Sequence, residues 1–198
     1  MKKILISVAA AALMSTSAFA ATDGTPGATS TGTADINVTI EPFVNIRGLD
    51  DLTINIAAGD INESAPNNRA GQAVTNFCVF SNVTSAGNYT ITPTSALAGT
   101  SGNPFGLTGP EGTQLNYLAS FTDQGTGSPF VAGGFLARNQ ARAATTTAGG
   151  QNRPTDFNCS NVTGGSNAAI GIGVRNSVAL AALAGVYTGT LTVTVAVP

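Results

Sequence analysis

Residues 186–198, Val-Tyr-Thr-Gly-Thr-Leu-Thr-Val-Thr-Val-Ala-Val-Pro, alternate between apolar and polar positions. Tyr187, Leu191, Val193, Val195 and Val197 fall on one side, and Thr188, Thr190, Thr192, Thr194 and Ala196 on the other. Successive side chains of a strand point to opposite faces, so this period of two predicts one half-buried β-strand over the whole stretch. A second alternating run carries Ile36, Val38 and Ile40 within residues 34–40. A strand with one apolar face needs a sheet beside it and a second layer beneath it.

The same pattern predicts the elements between these runs. Glu41-Pro42 breaks the first strand, and residues 43–46 form a short segment. Leu52, Ile54 and Ile56 form the next strand, after a turn at residues 48–51. Residues 59–75 are polar and read as a surface loop, followed by a compact strand over 76–81 that contains Cys78. Tyr89 and Ile91 share one face of a returning strand, and residues 104–108 form a short one. Leu115, Tyr117, Ala119 and Phe121 line one face of another. Residues 125–158 predict one or two weak strands and an exposed loop. Residues 168–175 alternate Ile170, Ile172 and Val174 with small residues, and the glycines among them leave room for close approach by another group. A helical turn over 177–184, capped by Ser177 and closed by Gly185, precedes the last strand. Many short strands with frequent turn residues and almost no helical period predict an all-β, immunoglobulin-like antiparallel β-sandwich over residues 34–198.

The first twenty residues predict a processing signal. Lys2 and Lys3 precede an apolar stretch from Ile4 to Met14, and Ala18-Phe19-Ala20 supplies a small-x-small cleavage site. The apolar stretch is too short for a membrane span, so an exported chain with no membrane span is expected, beginning at Ala21. Residues 21–33 have no periodicity and many turn formers, the pattern of a flexible leader.

Both lysines lie in that signal and the chain has no His, so six arginines face ten carboxylates in the remainder. Arg47, Arg69, Arg138, Arg142, Arg153 and Arg175 are scattered along the chain rather than clustered to release phosphate counterions. Nucleic-acid binding is therefore not expected. The only cysteines, Cys78 and Cys159, are expected to pair in an oxidising compartment, the alternative being two free thiols. Without His, Lys or a free thiol there is no ordinary general base or covalent nucleophile, so neither an enzyme nor a cofactor is expected. Asp50, Asp51, Asp60 and Glu63 fit no calcium-loop spacing, and no metal site is assigned.

Three stretches together resemble the archaic chaperone–usher pilins and the related spore coat U-like domains. They are residues 31–40 (Thr-Gly-Thr-Ala-Asp-Ile-Asn-Val-Thr-Ile); Phe77-Cys78-Val79 with Asn88-Tyr89-Thr90-Ile91; and residues 185–195, similar to the Gly-x-Tyr-x-x-Thr-Leu-x-Val-x-Val ending of those families. The chain departs from them in having Phe43, and no cysteine, just after its first strand; residues 125–158 have no counterpart. The resemblance implies a sandwich that lacks one strand and is completed by the N-terminal strand of the next subunit. Ile36, Val38 and Ile40 would be the donated residues. Tyr187, Leu191, Val193, Val195 and Val197 would form one wall of the accepting groove. It further implies a head-to-tail homopolymer, a periplasmic chaperone and an outer-membrane usher as partners, and an extracellular filament serving adhesion or biofilm. The alternative is that residues 34–40 are the first strand of a complete monomeric sandwich, a secreted binding or coat module that holds, for example, a carbohydrate. Sequence leaves open which molecule supplies that strand.

Overall fold

The computed structural model describes residues 22–100, 102–125, 127–131 and 133–198. The expected signal at residues 1–20 lies outside them. The chain divides into two units, Met1–Glu41 and Pro42–Pro198.

The second unit is two antiparallel sheets. In chain order its strands are β1 (Val44–Arg47), β2 (Arg69–Ser81), β3 (Asn88–Ser95), β4 (Leu97–Thr100), β5 (Asn103–Thr108), β6 (Gln114–Thr122), β7 (Arg142–Thr145), β8 (Ala168–Arg175) and β9 (Leu191–Ala196). One short helix, α1 (Asn176–Ala181), follows β8. The six-stranded sheet runs β1-β2-β8-β6-β5-β4 and the three-stranded sheet β7-β3-β9. Phe77 and Val79 of β2, Tyr89 and Ile91 of β3, Phe105 of β5, Tyr117 and Phe121 of β6, and Ile170 and Val174 of β8 form the core. This is the all-β sandwich that the alternation predicts.

Several boundaries differ from the sequence reading, each for a local reason. β2 begins at Arg69, inside the stretch expected as a loop. Its inward residues there are Gly71, Ala73 and Thr75, too small to show an apolar rhythm. Ile54 and Ile56 fill the space a Cβ at Gly71 would need. Residues 52–56 alternate half-buried Leu52, Ile54 and Ile56 with exposed Thr53 and Asn55, yet join no ladder among the described residues, so the strand expected there is extended backbone without a partner. Between residues 125 and 158, where one or two weak strands are expected, the described residues contain one, β7. α1 takes Arg175 as its N-terminal cap, not Ser177, and shows no side-chain capping bond. Asn176 instead ties the preceding loop down, accepting from the Asn62 N–H (3.1 Å) and donating to the Ala65 carbonyl (2.9 Å).

Part of the outer face of the six-stranded sheet is covered as well, although Gln72, Val74 and Asn76 of β2 stay exposed there. Pro129 and Phe130 lie over Gly171, where a Cβ would stand 2.7 Å from the Phe130 ring, and the Arg69 guanidinium sits 4.2 Å from that ring's centre. That cover buries both faces of β6, which alternation alone reads as half-exposed. Inside the sheet, buried Asn167 acts as a one-residue strand partner. Its amide donates to the Val79 carbonyl and its carbonyl accepts from the Val79 N–H, both at 2.8 Å.

Candidate interaction surface

β9 pairs with β3 from Thr90↔Ala196 to Ser95↔Leu191, and its other edge joins no strand among the described residues. Leu191, Val193 and Val195 point to the core and are half-buried; Thr192, Thr194 and Ala196 face outward. Residues 186–198 are therefore not one strand. Thr188 forms an antiparallel bridge with Thr108 at the end of β5, with reciprocal backbone bonds of 2.9 Å. The segment thus first joins the six-stranded sheet and then crosses to the other one, and the crossing breaks the ladder. Tyr187 and Val197 lie outside β9. Tyr187 is half-buried against Gly109, with its hydroxyl donating to the Leu183 carbonyl at 2.9 Å, and Val197 is partly open.

The unpaired stretch at 52–56 lies in the same layer as β9, over the inner face of β2, since it covers inward-facing Gly71. Asp50 anchors its start, its N–H donating to Thr75 Oγ1 at 3.1 Å. The layer opposite the six-stranded sheet thus holds two extended segments with apolar alternate residues and free backbone edges.

In the first unit, Ile36, Val38 and Ile40 are 86%, 79% and 78% exposed, and residues 34–40 join no ladder among the described residues. Exposed Ile and Val at every second position is an unusual state for a β-branched run, which ordinarily buries one face. The leader before it is closed into a loop. Thr22 and Thr33 exchange backbone bonds of 2.9 and 3.0 Å, and their hydroxyls meet at 2.7 Å.

Two further apolar surfaces have no clear sign in the sequence. Cys78 and Cys159 are joined by a disulfide. Phe80 stands two residues after the first cysteine and Phe157 two before the second, so the bond brings them together. Their ring centres are 5.0 Å apart, and Phe43 completes the cluster at 5.4 Å from Phe80 and 6.0 Å from Phe157. Phe43 and Phe157 are exposed. The loop carrying Phe157 is ordered by Asp156, whose carboxylate accepts the N–H groups of Asn158 (2.8 Å) and Ser160 (3.2 Å). Those bonds, from Ser160 first and then Asn158, hold its pKa below the usual carboxylate value. Arg47 donates to Asn158 Oδ1 at 2.7 Å beside the rings. The second is a stretch of chain, from the end of α1 towards β9, along which Leu180, Leu183 and Val186 are each exposed. A spacing search could have marked Phe80 and Phe157 only once the cysteine pairing was accepted.

Among the described residues no group of three or more His, Cys, Asp or Glu side chains gathers as for a metal, and no helix is long and apolar enough to cross a membrane. No protein-family model matches the sequence, and a search of curated proteins gives no match. Among solved structures, the chain is similar to one from "Chaperone-tip adhesin complex is vital for synergistic activation of CFA/I fimbriae biogenesis", with a TM-score of 0.45 and 15% identity over 77% of this chain and 41% of that one. The chain thus matches less than half the length of that protein.

Proposed function

We propose that this chain is the structural subunit of an extracellular pilus or matrix filament that polymerises by strand donation. Ile36, Val38 and Ile40 of one copy enter the layer between β9 and residues 52–56 of the next. There Leu191, Val193 and Val195 form one wall, with exposed Val197 beyond its far end, while Tyr187 stays with the six-stranded sheet. The single observation that supports this reading best is a matched pair of deficits. An alternating strand segment has its three apolar side chains bare, and a sandwich edge has three half-covered apolar side chains and an unused row of backbone donors and acceptors.

Adding a strand to an open edge satisfies both: main-chain bonds supply affinity and alternate side chains supply specificity. Burying three such residues contributes roughly 5–8 kcal/mol before ordering costs. Because donor and acceptor are different surfaces, the contact does not close on itself and propagates into a fibre. A chaperone that occupies the open edge before assembly, and an outer-membrane usher, fit this route, and the product would stand at the cell surface or outside it.

Removal of residues 21–40 tests the reading. The truncated protein should fail to polymerise yet accept an added peptide of residues 31–40, seen as a shift in native mass. Fibres formed by the truncated protein would refute it, and so would a full-length chain that stays monomeric at high concentration.

A further inference from the structure

We infer that successive copies of this chain also touch through a second, aromatic contact: the Phe43–Phe80–Phe157 face of the donating subunit seats on the Leu180, Leu183 and Val186 surface of the accepting one. This rests on the strand-donation reading above and adds to it an interface that fixes the angle between subunits.

The connection between residues 34–40 and the ring cluster is short. Ile40 is the last apolar residue of the donor run, and only Glu41 and Pro42 separate it from Phe43. Two residues reach about 7 Å when extended, and Pro42 restricts its own φ and disfavours helical backbone at Glu41. A neighbour holding Ile40 must therefore stand directly against the ring cluster that Phe43 begins. The exposed parts of Phe43 and Phe157 would there be enclosed by the next copy.

Strand direction selects the opposing surface. Every ladder in both sheets is antiparallel, and a donor added to β9 in the same sense runs from Val195 towards Leu191. Ile40 then lies at the Leu191 end. Three residues further, about 10 Å on, Phe43 reaches the segment that precedes β9, where Val186 and Leu183 are exposed.

Placement within one subunit agrees. Phe80 is next to the last residue of β2, whereas α1 starts beside its first: Arg69 pairs with Arg175, and the Asn176 N–H donates to the Asn68 carbonyl at 2.8 Å. Eleven residues of strand separate the two surfaces, roughly 35 Å. Apolar patches at opposite ends of one long strand are complementary for head-to-tail stacking and unsuited to a closed dimer.

A cysteine pair tests this. In the full chain carrying Phe43→Cys and Val186→Cys, fibres treated with a mild copper oxidant should give trimers and larger species on a gel after boiling without reductant. Dithiothreitol should remove them. Each single variant has no thiol opposite its own in this contact and should boil down to monomer; dimers from either would show a same-face contact and refute the pairing. If the double variant polymerises in unboiled samples but boils down to monomer after oxidation, the aromatic contact is refuted while strand donation stands. If wild-type protein shows no polymer before boiling, both are refuted.

Discussion

Val38→Asp separates the two molecules that a strand at residues 34–40 can complete. Val38 is 79% exposed in its own subunit. A charge there leaves that subunit's fold within about 0.5 kcal/mol of wild type, as for other surface changes. In the proposed strand-donated junction it would cost twice. The valine's burial, about 2 kcal/mol, is lost. The carboxylate, placed between β9 and residues 52–56 among Val193, Ile54 and similar side chains, must be desolvated or protonated, which adds roughly 2–3 kcal/mol. A total near 4–5 kcal/mol weakens each junction about a thousandfold or more. The assay pairs two readouts on one preparation: the ladder of SDS-resistant species before boiling, and the thermal midpoint of the monomer by circular dichroism. The ladder should collapse and the midpoint should stay. A midpoint lowered by more than about 5 °C, a loss expected only for a buried site, would place Val38 in its own subunit's core and refute the reasoning. An unchanged ladder would refute it equally.

Two other outcomes follow from the body of the sandwich. Asn167→Ala strips partners from both the N–H and the carbonyl of buried Val79. Unmade buried bonds of this kind cost about 3 kcal/mol together, so the thermal midpoint should fall by roughly 6–12 °C, and a fall under 2 °C would remove Asn167 from its structural role. At alkaline pH, burial pushes the Tyr117 hydroxyl up to about 12, and burial, with the Asp123 carboxylate nearby, pushes Tyr89 higher still. An unfolded tyrosine releases its proton near pH 10, so the folded state binds more protons above that point and stability falls as pH rises from about 10 towards 12. Tyrosinate absorbance from these two residues should therefore rise together with loss of the β-sheet spectrum; ionisation of Tyr117 near pH 10 in folded protein would contradict its burial.

Much of the sandwich is legible along the chain because strands that turn large apolar side chains to one face declare themselves by period. Residues 168–175 show it in β8, Tyr89 and Ile91 in β3, and Leu115 to Phe121 in β6. The signal weakens where small residues face the core, which is why the first half of β2 reads as loop although Gly71, Ala73 and Thr75 line its inner face. It also misleads where the period outlasts the pairing. The rhythm of 186–198 continues through a crossing between sheets at Thr188, and the rhythm of 52–56 marks a half-buried face with no ladder at its edge.

Alternation is a statement about faces. It therefore fixes that Ile36, Val38 and Ile40 share a side, that Leu191, Val193 and Val195 share another, and that both sides are apolar. It carries nothing about hydrogen-bonding edges, which lie in the plane of the sheet, perpendicular to the side chains. Only the tertiary structure decides that β9 keeps an edge unpaired among the described residues, that Ile36, Val38 and Ile40 are exposed, and that a disulfide draws Phe80 and Phe157 into one cluster with Phe43. Those properties depend on which strands meet across long stretches of chain, and a local pattern holds no record of distant neighbours.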